Sequence, residues 1–447
     1  MRAGRLPRRR RRPPRRPRPR NSTTKAREVR GMSSGKGGLV AALDIGSTKI
    51  CCFIARVDDK ALIKVEGIGH QVSEGMRCGA VVDIEAVEAS VRAAADAAER
   101  MSGETIRRAF VNVSSGFPNS EAIHVEVKIA GHQVDENDIR RALVEARRKA
   151  ELLEREVLHT IPVTYSIDGS RGIRDPRGMY GDRLGVDIHV VTAATGPLRN
   201  LKLCMDRGHL GIAGLCVSSY ASGLSCLVED ERQMGVTLID MGGGTTTIAV
   251  FMEDALVYTD VVPIGGQHIT NDIARGMLTP IADAERLKTL HGSALRGSSD
   301  DREMLTIPQM GEAEQEFSQS VPRSMLSGII QPRVEEIFEA VHERLIASGF
   351  EHAAGKRVVL TGGASQLQGV REVAARILDK QVRLGRPLRV DGLAEATVGP
   401  AFSTCAGLLA YAAQGFVRKG NVTTPMLAPS ESRSTMARVS QWIRENF

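Results

Sequence analysis

The chain has 447 residues, 42% hydrophobic and 25% charged, which suits a globular protein with two or more domains and a sizeable core. Aromatics make up only 4%, which argues against a single-strand nucleic-acid binder built on stacked rings, and no specific nucleic-acid partner is expected. The net charge of +7 comes from one end: residues 1–31 hold fourteen Arg/Lys against Glu28, leaving −6 on residues 32–447.

That Arg-Pro tract could bind acidic lipid or nucleic acid, or be a disordered tail. Met32 stands just before the first apolar run, so the tract also reads as a segment that is not translated; it is set aside from fold reasoning. No apolar stretch follows the arginines, so it is not an export signal. The seven cysteines form no C-x-x-C pair and mostly fall in apolar runs, as buried reduced thiols do. No apolar run approaches ~18 residues, so no membrane-spanning helix is expected.

In chain order, residues 39–57 (LVAALDIGSTKICCFIARV) read as strand, turn, strand, with Asp44 at the end of the first strand. Residues 61–72 read as a further strand. Residues 83–101 read as a helix with Asp83 as N-cap and Ile84, Val87, Val91, Ala94, Ala98 and Met101 on one face. Residues 106–114 read as a strand. Residues 115–197 change character: strands at 122–129, 157–167 and 187–192 surround a charged helix at 135–154 with Ile139, Leu143 and Leu152 on its apolar stripe, as in an inserted subdomain. A helix is expected at 198–206, an apolar strand at 212–217, and a small-residue helix from Ser219.

Residues 236–252 (VTLIDMGGGTTTIAVFM) repeat the first pattern. An apolar run ends in Asp240, a Gly-Gly-Gly-Thr-Thr turn follows, and a second apolar run closes the hairpin. Glycines let backbone amides close around an anion, and a strand-end carboxylate can face a metal or water beside it. One such hairpin is usually a plain turn. Two in one chain suggest two halves facing one phosphate chain. Downstream, 264–277 reads as a Gly265-Gly266 turn running into a helix, 280–290 as a helix, 303–307 as a short strand, and 331–348 as an amphipathic helix. A buried strand at 358–360 leads to a third glycine turn, Thr361-Gly362-Gly363-Ala364. Helices are expected at 366–378 and 402–411. Residues 417–433 have linker composition. Residues 434–447 regain helical periodicity, with Met436, Val439, Ile443 and Phe447 on one face, Trp442 at its edge, and Arg438 and Arg444 opposite. This suits a helix docked on the body or, after a linker and with the chain's one Trp, one lying in a bilayer interface.

The three glycine turns in this order resemble the actin, sugar kinase and heat-shock chaperone ATPase superfamily. Within it, residues 38–447 resemble the FtsA family of bacterial cell-division proteins. The segments that carry the match are AALDIGSTK, the HTIPVTYSID run from His159, IDMGGGTTTIAVF, VVPIGGQHITNDIA, DAERLKTLHG, VLTGGASQLQG and VSQWIRENF. The resemblance implies an α/β, actin-like fold of two related domains around a nucleotide cleft, with a 1C-type insert and a C-terminal amphipathic helix. It implies ATP with Mg²⁺. Asp44, Gly46, Ser47, Thr48 and Lys49 would form the first phosphate loop. Asp240, Gly242, Gly243, Gly244, Thr245 and Thr246 would form the second, with Gly265 and Gly266 beside it. Glu285 and Lys288 would flank the adenosine; Gly362, Gly363 and Ala364 would close over the base. Asp44 and Asp240 would hold the metal mainly through water.

The same resemblance implies self-assembly into filaments, anchorage to anionic inner-membrane lipid, and recruitment of later division proteins. The C-terminal peptide of FtsZ would bind around residues 270–325, with Arg323 one contact. The expected order is a tail at 1–37; domain 1 at 38–114, 198–225 and 386–416, interrupted by the insert at 115–197; domain 2A at 226–268 and 326–385 around a subdomain 2B at 269–325; a linker at 417–433; and the membrane segment at 434–447. The stretch 215–224 (LCVSSYASGL) holds no Gln, Asp or Glu to position an attacking water, so hydrolysis is expected to be slow or negligible, and no catalytic residue is assigned. A pilus-assembly protein of the PilM type and a sugar-kinase-type phosphotransferase are the alternatives.

Overall fold

The computed structural model describes Met1 and residues 38–114, 116–151, 155–309, 318–388 and 390–420. The expectations for the Arg-Pro tract, for Leu152, for the linker beyond residue 420 and for the membrane segment at 434–447 lie outside them.

The two Asp-ended hairpins seed two sheets of one plan. In the first, strands Gly38–Ile45, Lys49–Val57 and Ile63–Val72 form an antiparallel meander. Gly38–Ile45 also pairs in parallel with Arg108–Val113, and that strand with Gly211–Val217. In the second, Val236–Met241, Thr246–Met252 and Ala255–Val262 repeat the meander. Val236–Met241 pairs in parallel with Arg357–Thr361, and that strand with Gln381–Leu384. The first sheet gains one more edge strand, Val390–Asp391. In both, the first strand is where pairing changes from antiparallel to parallel. Ligand crevices in α/β sheets form at the carboxyl ends of strands at such switch points. Asp44 and Asp240 stand near those ends.

Helix Ile84–Ser102 covers one face of the first sheet. Asp83 caps it, accepting the amides of Glu85 and Ala86, and Gly103 ends it in a left-handed conformation. Val87, Val91, Ala94 and Ala98 are buried as expected, but Met101 is 59% exposed. Helix Ser403–Gly420 packs on the opposite face and against helix Ser218–Cys226. A Cβ at Gly407 would collide with the Ala221 carbonyl, so the two backbones touch; this is why both helices are rich in small residues.

Some boundaries differ from expectation. The helix expected at 331–348 runs Arg323–Ser348 with Pro332 inside it. The buried Leu326, Ser327 and Ile330 carry its inner face back past the proline. The stretch 366–378 divides into a short 3-10 turn, Gly363–Gln366, and helix Val370–Leu378, with Gly369 at φ +81° between them.

The insert is a sheet of its own, in the order Asn119–Lys128, Arg183–Ala194, Arg155–Ile167, Ser170–Ile173. Helix Glu136–Glu151 lies on it over a core that includes Val125, Ile139, Leu143, Leu184 and Ile188. His159 of the HTIPVTYSID run ties this sheet to the body. Its Nε2 accepts the Val217 amide at 3.0 Å, and its ring meets Tyr220 and Tyr411 edge-on at 5.3 and 5.6 Å. All seven cysteines are free; six are buried and Cys78 is half-buried. Among the described residues no helix is long and apolar enough to cross a membrane.

Candidate functional site

Both hairpin turns close in the same way. The Gly46 amide donates to the Lys49 carbonyl at 3.0 Å, and the Gly242 amide to the Thr245 carbonyl at 2.9 Å. In each, the aspartate lies two residues before that glycine. A Cβ at Gly46 or Gly242 would approach the same carbonyl to 2.9 or 3.0 Å, which accounts for glycine at both positions. The turn tips press on each other: a Cβ at Gly243 would lie 2.7 Å from Thr48 Oγ1, and one at Gly244 2.7 Å from Ser47 Cβ.

Between the turns lies a space of about 680 Å³, open to solvent. Its walls include Asp44, Gly46–Lys49, Asp240, Gly242–Thr245, Gly362 and Gly363, all expected from sequence. Thr246 is not among these walls. Successive strand residues face opposite ways. Thr246 therefore turns inward, its hydroxyl donating to the Ile264 carbonyl at 2.8 Å, and Thr247 lines the space instead.

Gly265 and Gly266 stand behind the second turn. The Gly266 and Gln267 amides, at the start of helix Gly266–Met277, donate to the Gly242 and Gly243 carbonyls at 2.9 and 2.7 Å. These residues brace the loop. Lys288 Nζ bonds Thr270 Oγ1 (2.8 Å), Glu285 Oε2 (2.7 Å) and the Gly266 carbonyl (3.1 Å). A Cβ at Gly266 would meet Ala364 Cβ at 3.0 Å. Glu285, Lys288 and Ala364 thus form a second group adjoining the braced loop, outside the walls of the main space. Lys49 lies over the Phe402 ring at 3.6 Å and bonds the Ala401 carbonyl. Arg323 is engaged within the chain: it donates to the His291 carbonyl (3.0 Å), Glu303 (2.9 Å) and Gln368 (3.1 Å).

The two carboxylates are buried at 7% exposure each. Burial pushes Asp44 up to about 7; Lys49 opposes this and Asp240 adds to it. Burial also raises Asp240, against hydrogen bonds from Ser222 and Thr404 and the charge of Lys49. Two buried like charges close to one another favour a cation between them.

The supporting groups were not expected from sequence. Asn112 Nδ2 donates to Asp44 Oδ1 at 2.8 Å and to Ser218 Oγ at 3.2 Å, while its Oδ1 accepts the Ile45 amide at 2.7 Å. Ser222 and Thr404 donate to Asp240 Oδ2 at 2.5 and 3.1 Å. Asn112 could have been found, since an Asn inside an apolar strand needs a reason. So could Ser218 and Ser222, four apart on one helix face. Thr404 had no such signal.

The family model described as cell division protein FtsA matches residues 237–407, and one described as the SHS2 domain inserted in FTSA matches 117–192. The cell division protein FtsA of Rhizobium meliloti (strain 1021) is 46% identical over 94% of this chain and 97% of its own. Among solved structures, a PilM-PilN type IV pilus biogenesis complex covers 85% of this chain and 98% of its own at TM-score 0.59 and 14% identity. MreB5 of Spiroplasma citri bound to ADP covers 86% and 98% at TM-score 0.51 and 12% identity. At those identities the likeness shows the fold, which is actin-like.

Proposed function

The chain belongs to the family of the cell division protein FtsA, and from that premise we propose that it binds ATP with Mg²⁺ in the cleft and serves as a membrane-tethering scaffold. One observation carries the nucleotide reading: two hairpins of identical closure bring a buried carboxylate each to one glycine-lined space. The residues present fit the group. Glycine turns admit close approach of phosphate oxygens. Two buried carboxylates suit a magnesium ion that keeps most of its waters. Bound there, the metal would neutralise the phosphates and the carboxylate pair. Asn112, Ser222 and Thr404 orient the carboxylates, and the amides at Gly266 and Gln267 fix the second loop.

Fast hydrolysis needs a residue that positions water. Among the described residues, the walls hold Asp44 and Asp240 as carboxylates, with Asn112, Ser114, Ser218, Thr247 and Thr404 as the other polar groups beyond the turns and no Gln or Glu. ATP therefore sets a conformation, and steady-state release of phosphate should stay below about 1 per second. A faster rate that disappears in Asp240→Ala would overturn this.

The remaining reading rests on the family and on the sequence of residues 434–447. Copies assemble into filaments at the cytoplasmic face of the inner membrane, at the division septum. Met436, Val439, Trp442, Ile443 and Phe447 enter anionic lipid. The C-terminal peptide of FtsZ docks around residues 270–325, where Arg323 would exchange a present partner for it, and the insert meets later division proteins. Anionic vesicles should sediment FtsZ in the presence of the full chain. Trp442→Glu should cut vesicle binding about tenfold, since a charge on the apolar face must be lost to water or neutralised. FtsZ lacking its C-terminal peptide should stay in solution. Equal sedimentation with Trp442→Glu would sink the tether, and equal sedimentation of shortened FtsZ would sink the docking site.

A further inference from the structure

The insert leaves the first half of the molecule after Val113 and returns to it at helix Thr195–Arg207, and besides its contacts there it is also seated on the second half. Ser120 Oγ accepts the Thr259 amide at 2.7 Å and donates to the Thr259 carbonyl at 2.8 Å. His189 Nε2 lies 2.9 Å from Ser120 Oγ. Thr259 belongs to strand Ala255–Val262, the edge of the second sheet. Beneath this contact, Val191 of the insert shares one buried cluster with Leu238, Ala249, Phe251, Leu256 and Val359 of the second half.

Helix Ser218–Cys226 reaches both places. Ser218 accepts from Asn112, which holds Asp44, and Ser222 donates directly to Asp240. Ser219 Oγ lies 2.6 Å from Thr259 Oγ1, and Tyr220 packs on His159 of the insert. The turns of the two halves are meanwhile in contact at Ser47–Thr48 and Gly243–Gly244.

We propose that the insert is a strap across the two halves, seated while the cleft is closed, so that nucleotide binding and seating of the insert stabilise each other. This rests on the nucleotide reading above. Hydrogen bonds weaken steeply beyond normal length, so a shift of about 1 Å between the halves would break both bonds of Ser120 to Thr259. Linkage makes the effect reciprocal: a partner that draws the insert away lowers nucleotide affinity, and nucleotide resists that partner.

The test uses the full chain, Mg·ATP, amide exchange and titration with a fluorescent ATP analogue. Mg·ATP should slow exchange in Asn119–Lys128 and Ala255–Val262. Ser120→Ala should weaken analogue binding about fivefold. His124→Ala, a half-exposed residue of the same strand paired with Asp187, should leave it unchanged. If the wild-type chain binds the analogue but Ser120→Ala stays within about twofold of it, or exchange in both strands ignores nucleotide, the strap is overturned and the nucleotide reading stands. If the wild-type chain binds no nucleotide, that reading fails and the coupling falls with it.

Discussion

Gly244→Ala should lower the affinity for Mg·ATP by about fivefold to 150-fold, the equivalent of the roughly 1–3 kcal/mol that overpacking costs in a close-packed site. The new methyl would lie 2.7 Å from Ser47 Cβ and 2.9 Å from Cys78 Cα. A side-chain tip could rotate away, but these atoms are fixed to backbone, so the second turn must withdraw from the first. The seam opens where the phosphate chain would lie. Gly196→Ala is the control: it lies in helix Thr195–Arg207, outside the walls of the space, and its Cβ would meet nothing within 4 Å. Titration with a fluorescent ATP analogue should separate the two variants while thermal unfolding leaves both near the parent. Equal affinities would show that the seam does not form part of the binding site.

The same turns show what the sequence could reveal. Their glycines, the preceding aspartates and the apolar runs on either side are local signals, and their duplication carried the two-half architecture. Which threonine faces the cleft depends on strand phase, which the run Thr245-Thr246-Thr247 does not declare. The supports of the carboxylates are non-local. Asn112 reaches Asp44 across a parallel strand pair, and Thr404 reaches Asp240 from 164 residues away. Such partners are set by topology, which no window of sequence contains. The insert was legible as a separate block by its change of pattern. Its seating on the second half was not, because Ser120 and Thr259 are ordinary strand residues until the sheets meet.

The seating of the insert also sets an acid response that can be read one group at a time. Burial, with His189 beside it, pushes the His159 imidazole down to about 3. An unfolded imidazole takes its proton near pH 6.5. Between those values the unfolded chain holds the proton and the folded chain does not. The neutral ring therefore stabilises the fold fully above pH 6.5, and that stability is lost as pH falls towards 3. Asp44 works the other way. Its folded carboxyl, raised to about 7, holds a proton that the unfolded chain gives up above about 4, so its contribution is lost as pH rises. The two partly cancel, and the parent's own acid profile understates each. The difference between His159→Gln and the parent isolates one. At pH 8 the variant should be less stable by about 1–2 kcal/mol, because the edge-on contacts with Tyr220 and Tyr411 are lost while Gln can still accept the Val217 amide. At pH 5 the parent carries a further cost of about 2 kcal/mol that Gln does not. Denaturant titrations of both chains from pH 8 to pH 5 should therefore converge or cross. A gap that stays constant would mean that His159 takes its proton in the folded chain as readily as in water, and that the seat of the insert is wet.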